Sequence, residues 1–138
     1  MTGIDASSQF ADVLDNSPNY VKGREVWLGQ GVDKFPDEYK GQFEIVTASG
    51  VFLKSHMPAR AMEDCHAALK TNGFFVTAMR SIYWEFGNEE GYKEQLEKLV
   101  AENKLKLVAT HTFMRGVEGE TGLFLPQESR MMCYQRID

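Results

Sequence analysis

The stretch from Phe43 to Arg80 constrains this chain more than any other part of it. Phe43-Glu44-Ile45-Val46-Thr47-Ala48 is a β-branched, apolar run that ends at Ser49-Gly50. Between Pro58 and Lys70, residues Ala61, Met62, Cys65, Ala68 and Leu69 recur at helical spacing, which predicts an α-helix. Asn72-Gly73 is a turn signal, and Phe74 to Met79 is a second run too apolar for a half-exposed strand. Two strands buried on both faces and joined by a helix are what a parallel sheet produces, and such a crossover is right-handed. In open α/β sheets ligands bind off the carboxyl ends of the strands. Ser49-Gly50 and Met79-Arg80 are therefore the first places to look for a site.

At 138 residues the chain is expected to form a single domain, residues 1–138, with a substantial core. Its net charge of −5 argues against nucleic acid as the main partner, because phosphate binding needs clustered Lys and Arg. The longest basic cluster, Lys104-Leu105-Lys106, sits at a predicted strand start and reads as a solvated edge. No apolar run approaches the roughly 20 residues needed to span a bilayer, so no membrane partner is expected. The opening MTGIDASSQ lacks a basic region followed by an apolar one and does not read as a secretory signal. Cys65 and Cys133 lie far apart among apolar neighbours, which suggests free buried thiols in a reducing, cytoplasmic setting.

Along the chain, Gly3-Ile4-Asp5 is followed by Ser7 or Ser8 as N-cap of a short helix with Phe10, Val13 and Leu14 as its apolar stripe. Glu25-Val26-Trp27-Leu28 reads as a short strand closed by Gly29-Gln30-Gly31, and residues 32–42 as a loop. After Arg80 comes an aromatic cluster, Tyr83-Trp84-Glu85-Phe86-Gly87. Asn88 is the expected cap of a helix whose first turn holds Glu89 and Glu90. Tyr92, Leu96, Leu99 and Val100 form that helix's core face, while Glu89, Glu90, Glu94 and Glu97 read as solvated. Lys104 to Met114 suggests a strand, residues 115–129 a loop or the turn of a long hairpin, and Met131 to Tyr134 a final strand. The order β-α-β-loop-β-α-β-α-β-β predicts an α/β fold with a mostly parallel, Rossmann-like sheet and a C-terminal antiparallel strand.

Several segments resemble the class I S-adenosylmethionine-dependent methyltransferases, and within them the small methyltransferase-like proteins of the Williams–Beuren region type. GIDAS at Gly3–Ser7 resembles the end of the second sheet strand, FEIVTASGVF at Phe43–Phe52 the fourth strand and its loop, and ALKTNGFFVTAMR at Ala68–Arg80 the family's "LKPGGxF" element. MRGVEGE at Met114–Glu120 resembles the loop before the last strand. The resemblance covers essentially the whole chain and implies a methyl transfer from S-adenosylmethionine to a small molecule. It implies that Asp5 takes the cofactor's ribose hydroxyls, that Gln30 lies near adenine, and that Ser49 and Gly50 sit beneath the methionine portion. His56, Arg80, Tyr83 and Trp84 are the candidates for the substrate side. The methyl acceptor itself is not readable from the residues.

The chain departs from the family where the family is most diagnostic. A first strand, a glycine-rich loop and a helix should precede GIDAS, which here begins at residue 3. Neither Gly29-Gln30-Gly31 nor Gly116-Val117-Glu118-Gly119 replaces that element. The expectation is thus a methyltransferase-like domain truncated at its N-terminus, with weak S-adenosylmethionine binding. The resemblance implies a sheet ordered 3-2-1-4-5-7-6, in which the absent strand would be central, leaving two inner edges without partners. Three outcomes are open: the Glu25–Leu28 strand slides over to pair with Phe43–Thr47, two chains associate through the edges, or strands four to seven suffice as a fragment. The favoured expectation is a remodelled four- or five-stranded sheet in a homodimer. The alternative function is a non-catalytic interaction or oligomerisation module.

Each candidate has a structural alternative. Asp5 reads equally as a cap aspartate ahead of Ser7, Ser49-Gly50 as a plain turn, and His56 as a cap for the helix opened by Pro58. Arg80 reads as a substrate-anion partner or as an ion pair with Glu85 or Glu90, and Tyr83-Trp84 as pocket wall or core. Cys65-His66 with Cys133 and His111 does not match zinc spacing, and no metal is expected. Nucleophile-elbow, phosphate-loop and H-E-x-x-H templates are absent from the sequence.

Overall fold

The computed structural model describes residues 1–85, 88–118 and 124–138. Within them the elements run β1 (Thr2–Asp5), α1 (Ser8–Asp15), β2 (Lys22–Glu25), β3 (Phe43–Ser49), α2 (Ala61–Ala68), β4 (Leu69–Arg80), α3 (Tyr92–Ala101), β5 (Leu105–Glu118) and β6 (Phe124–Arg136). This is the order that the sequence predicts. The strands divide into a parallel pair, β1-β2, and a four-stranded sheet ordered β3-β4-β6-β5. β3 and β4 are parallel, and β6 runs antiparallel to both β4 and β5. The fold is α/β and Rossmann-like, with its antiparallel strand at the C-terminus of the chain. Of the three open outcomes, the pairing of a strand at Glu25–Leu28 with Phe43–Thr47 does not occur. The strand lies earlier, at Lys22–Glu25, and pairs with Thr2–Asp5 instead. The apolar Val26 and Leu28 leave the ladder to enter the core, and the polar Lys22-Gly23-Arg24-Glu25 makes the hydrogen bonds.

β4 is the axis of the larger sheet. Phe75, Thr77 and Met79 on its buried face stand in register with Met132 and Tyr134 of β6 and with Val46 and Ala48 of β3. Onto this face pack Ala61, Met62 and Cys65 of α2 and Tyr92, Leu96 and Leu99 of α3, together with Phe52. Phe52 meets Phe75 and Tyr92 edge-on, at ring centroid distances of 6.4 and 5.4 Å. Thr77 Oγ1 donates to the carbonyl of Ala48 at 3.0 Å, so the one polar side chain in the row ties β4 to β3. Three of the four residues expected on the α3 face are buried, while Val100 is exposed.

The opposite face of the sheet carries Ile45 and Thr47 of β3, Val76 and Ala78 of β4, and Met131 and Cys133 of β6, all half-buried or exposed. The expectation that both strand runs are buried on two faces is therefore overturned. In β3 no residue is buried, and Ile45 is 60% exposed. Helices α2 and α3 cover one face, and nothing among the described residues covers the other to the same depth.

Other boundaries shift for local reasons. α2 ends at Ala68, and β4 runs through Asn72-Gly73 without a break in the strand. Asn72 takes φ +67 and the register against β3 slips between Phe43 and Ile45, so the turn signal becomes a bulge rather than an element end. Ser7 caps α1 by accepting from Phe10 N, but of the expected stripe only Leu14 turns inward, half-buried, while Phe10 and Val13 are 64% and 65% exposed and Ala11 is the buried residue. Ala11 is buried because β2 approaches at Gly23, where a Cβ would overlap the Ala11 carbonyl. Asn88 does not cap α3: its Oδ1 accepts from Glu90 N at 3.0 Å in the preceding turn, and Gly91 stands at the cap. Within the stretch expected as a loop or hairpin turn, residues 115–118 and 124–129 are the paired arms of a long hairpin, with Gly116 opposite Pro126 and Glu118 opposite Phe124. Phe86 and Gly87 of the aromatic cluster, and Gly119 and Glu120 of the MRGVEGE segment, lie outside the described residues.

The C-terminus is stapled to the core. Asp138 accepts from His66 Nε2 and from Arg136 Nε, each at 2.9 Å, and its carbonyl accepts from Thr71 Oγ1 at 3.0 Å. Burial lowers the pKa of His66 against the opposing pull of Asp138, so the neutral imidazole is the favoured form. The unfolded chain then takes up the proton more readily than the folded one near and below pH 6.5, and stability falls as acid is added. Asp138 adds a loss of the same sign at lower pH: burial opposes its ionisation, but the His66 and Arg136 hydrogen bonds more than offset this and hold its pKa below 3.8. Unfolding free energy measured by urea titration should fall as the pH drops below 6.5, and His66→Gln should flatten that slope. A second expectation concerns Tyr92, whose hydroxyl donates toward the Leu53 and Met57 carbonyls at 3.0 and 2.7 Å. Tyr92→Phe should cost about 1–2 kcal/mol in the same titration.

Candidate functional site

Two edges of the fold meet across one groove. Thr2, Gly3 and Ile4 of β1 line one wall, and Ile45, Thr47 and Ser49 of β3 line the other, around a cavity of about 480 Å³. β1 pairs only with β2 and β3 pairs only with β4, so each presents a strand edge without a ladder partner among the described residues. The floor is apolar: Val46 and Leu28 reach both core clusters, with Phe43, Phe52 and Cys65 beside them. Burial pushes the Cys65 thiol up to about 12, which makes it an inert core residue.

A larger cavity of about 720 Å³ lies at the other end of β4, where Gly41, Lys104 and Arg136 converge. Its cations are already matched. Lys98 pairs with Glu63 at 3.0 Å, Lys104 with Glu102 at 2.7 Å and Arg136 with Asp138 at 2.9 Å. The Lys98 hydrogen bond holds Glu63 below its ordinary carboxylate range. This cleft is an ion-paired surface, and it sits away from the carboxyl ends of the parallel strands. The groove between β1 and β3 is the better candidate.

The expected site residues divide between the groove and its surroundings. Asp5 ends β1, one residue beyond the groove wall, half-buried. Its Oδ1 accepts from Ser7 N at 2.8 Å, so it does serve as the turn into α1, and its second oxygen retains acceptor capacity. Ser49 lines the groove at the end of β3. Gly50 follows with φ +72, and its amide is committed to the Ala78 carbonyl at 3.0 Å. Gln30 is exposed on the loop after β2, where Val26 N already donates to the Asp5 carbonyl at 2.8 Å. Asp5 and the start of the Gln30 loop are thus neighbours.

The substrate-side candidates do not line the groove. His56 is exposed in the turn after Phe52, and its amide donates to the Leu53 carbonyl at 3.1 Å, so it does not cap α2. Its neighbour Met57 does reach the groove. Arg80 ends β4 half-buried, and Tyr83 and Trp84 pack against the main core, with Tyr83 edge-on to Tyr92 at 6.5 Å. His66 faces Asp138 and His111 stacks on Phe113, so the Cys65–His66 and Cys133–His111 residues do not converge.

One residue of consequence carries only a faint signal in the sequence. Asp64 of α2 is 1% exposed, and its Oδ2 accepts from Gly29 N at 2.6 Å. Gly29 has φ +77, and a Cβ there would overlap the Pro58 ring. Only its place in an otherwise apolar helical face could have marked Asp64. Gly29→Ala should lower the thermal midpoint, with a cost above about 1 kcal/mol from the left-handed φ and the Pro58 overlap together.

No family model and no curated protein matches this sequence. Solved structures do share its fold. A SAM-dependent methyltransferase from Methanosarcina mazei superposes with a TM-score of 0.57 at 14% identity, over 99% of this chain and 81% of that one. The N-methyltransferase NodS from Bradyrhizobium japonicum gives 0.56 at 12% identity, over 99% and 73%. A 16S rRNA adenine methyltransferase variant with cosubstrate SAM, from Catenulisporales acidiphilia, gives 0.56 at 10% identity, over 99% and 75%. This chain has the fold found in SAM-dependent methyltransferases, with a groove between the edges of β1 and β3.

Proposed function

We propose that this is an S-adenosylmethionine-dependent methyltransferase-like domain acting on a small molecule, with the cofactor bound at the end of β1. The observation that carries it is Asp5, a half-buried acid at a strand end beside an open groove, in a fold that solved SAM-dependent methyltransferases share. The second carboxylate oxygen of Asp5 suits a pair of ribose hydroxyls, and the apolar floor suits an adenine and a thioether chain. When bound, the cofactor supplies a methyl group on sulfonium sulfur, open to direct displacement. The chain's own residues bind and orient. Asp5 takes the ribose, Gln30 lies beside adenine, and Ser49 and Gly50 border the methionine portion. His56, Arg80, Tyr83 and Trp84 are assigned to the methyl-acceptor side. Rate enhancement comes from proximity and alignment, for which effective molarity supplies about 7–11 kcal/mol and little acid-base chemistry is required.

The binding is weak in this reading. Among the described residues neither Gly29 nor Gly31 opens a helix, so no glycine-rich turn with a helix N-terminus faces the groove. Calorimetry with S-adenosylhomocysteine and S-adenosylmethionine should give binding that Asp5→Ala weakens about 10- to 100-fold, the worth of one charge-assisted hydrogen-bond pair. Silence from both ligands would sink the cofactor reading.

A second reading rests on the edges themselves. β1 and β3 offer unpaired backbone groups, and Ile45 stands 60% exposed beside them. We propose that a second copy of this chain adds to these edges, making a non-catalytic oligomerisation module. Sedimentation that gives a monomer at high concentration would remove this reading and leave the first untouched.

A further inference from the structure

A carboxylate with one oxygen satisfied and the other not is an expensive thing to keep inside a helix face. Asp64 is 1% exposed, yet only its Oδ2 has a partner, and its Oδ1 has none among the described residues. Burial pushes its pKa up, and the Gly29 amide only partly opposes this. Alanine at this place would remove the desolvation cost altogether, and an acid in the first turn of α2 gains only a modest amount from the helix dipole. The neighbours Met62 and Cys65 already supply the apolar contacts to the core. Packing therefore gives no reason for an acid here. The one contact it makes does.

That contact falls on a loop held from three sides. Leu28 is packed against both core clusters, the Pro58 ring lies against Gly29, and Asp64 takes the Gly29 amide. Gly29 and Gly31 both have positive φ, at +77 and +118, so Gln30 is carried between two residues whose conformation few side chains could hold. The loop begins just beyond Val26, whose amide bonds the carbonyl of Asp5.

We propose that Asp64 is a positioning residue: its carboxylate fixes the Gly29–Gly31 loop, and through it the place of Gln30. The proposal rests on the reading of Gln30 and Asp5 as cofactor contacts, and it extends the site to a residue 35 positions away from Gly29 in the chain. Asp64 itself touches no ligand.

The test combines amide exchange and calorimetry on the full chain. In Asp64→Ala the Gly29 amide should exchange at least about 10-fold faster, the loss of roughly 1.4 kcal/mol, while Phe75 and Thr77 amides of β4 keep their rates. S-adenosylhomocysteine affinity should fall about 10-fold in the same variant, and Asp64→Asn, which keeps an acceptor, should recover most of both. Unchanged Gly29 exchange in folded Asp64→Ala overturns the proposal. Faster exchange with unchanged affinity also overturns it, leaving a loop clamp with no bearing on the site. If wild type binds no S-adenosylhomocysteine, the cofactor reading falls and Asp64 is reduced to that clamp. Should Asp64→Ala not fold, wild-type NMR decides: the Gly29 amide proton must shift in step with the Asp64 carboxyl titration, and independence of the two overturns the contact.

Discussion

The structure depends on the buried face of β4. Phe75, Thr77 and Met79 alternate inward along that strand, and their register partners on β3 and β6 extend the row into a surface that α2 and α3 can cover. Burying such a face is the dominant favourable term in a domain of this size. Helix α2 descends directly into β4, with Ala68 and Leu69 adjacent in the chain and both buried, so the crossover has little freedom in where it lies. Everything else is attached to this slab: β5 by pairing with β6, the C-terminus by Asp138, and the β1–β2 pair through Val26 and Leu28.

One-sided burial has a consequence for function. A sheet covered on one face, with its β3 edge open, leaves a groove where the smaller sheet approaches. The groove combines two features that elsewhere in a fold are kept apart. Ser49 lines it at the end of β3, and Asp5 stands one residue beyond its β1 wall. Its length is bounded by backbone edges, where N–H and C=O groups remain to be paired. The strongest charge cluster, around Lys98, Lys104 and Arg136, contributes nothing comparable, because each of its cations is neutralised by a neighbouring acid.

Element order was legible in the sequence because it rests on local periodicity. Tyr92, Leu96 and Leu99 declared the face of α3, and Ser7 declared the start of α1. What failed were inferences about what lies opposite an apolar residue. Ile45 in an apolar run implies a strand but not a cover, and Phe10 and Val13 at helical spacing imply a stripe but not a partner for it. The strand expected at Glu25–Leu28 fell three residues early, since apolar side chains there serve the core while polar neighbours make the ladder. Asn72-Gly73 has turn chemistry, but β3 and β6 on either side keep β4 extended and convert it to a bulge. Of the candidate site residues, Ser49 was marked by its strand end and Asp5 by the resemblance of Gly3–Ser7 to a methyltransferase strand. The contact between Asp64 and Gly29 was not, because it depends on how a loop and a helix far apart in sequence come together.

The cofactor reading and the edge-pairing reading draw on the same walls, and this gives them a physical relation. A ligand lying between Asp5 and Ser49 and a strand added along β3 would both need the space beside Ile45 and Thr47. Binding of one would then oppose binding of the other, by the same factor in each direction, since coupling free energies are reciprocal. The apolar floor favours either occupant to a similar degree, as Val46, Leu28 and Phe52 gain from losing water whatever covers them. Discrimination must come from the polar groups. A strand satisfies the backbone edges and leaves the Asp5 carboxylate with Ser7 alone, whereas a ribose satisfies Asp5 and leaves the edges to water. Under the two proposed readings, Asp5 is thus the group whose chemistry would separate the two occupants.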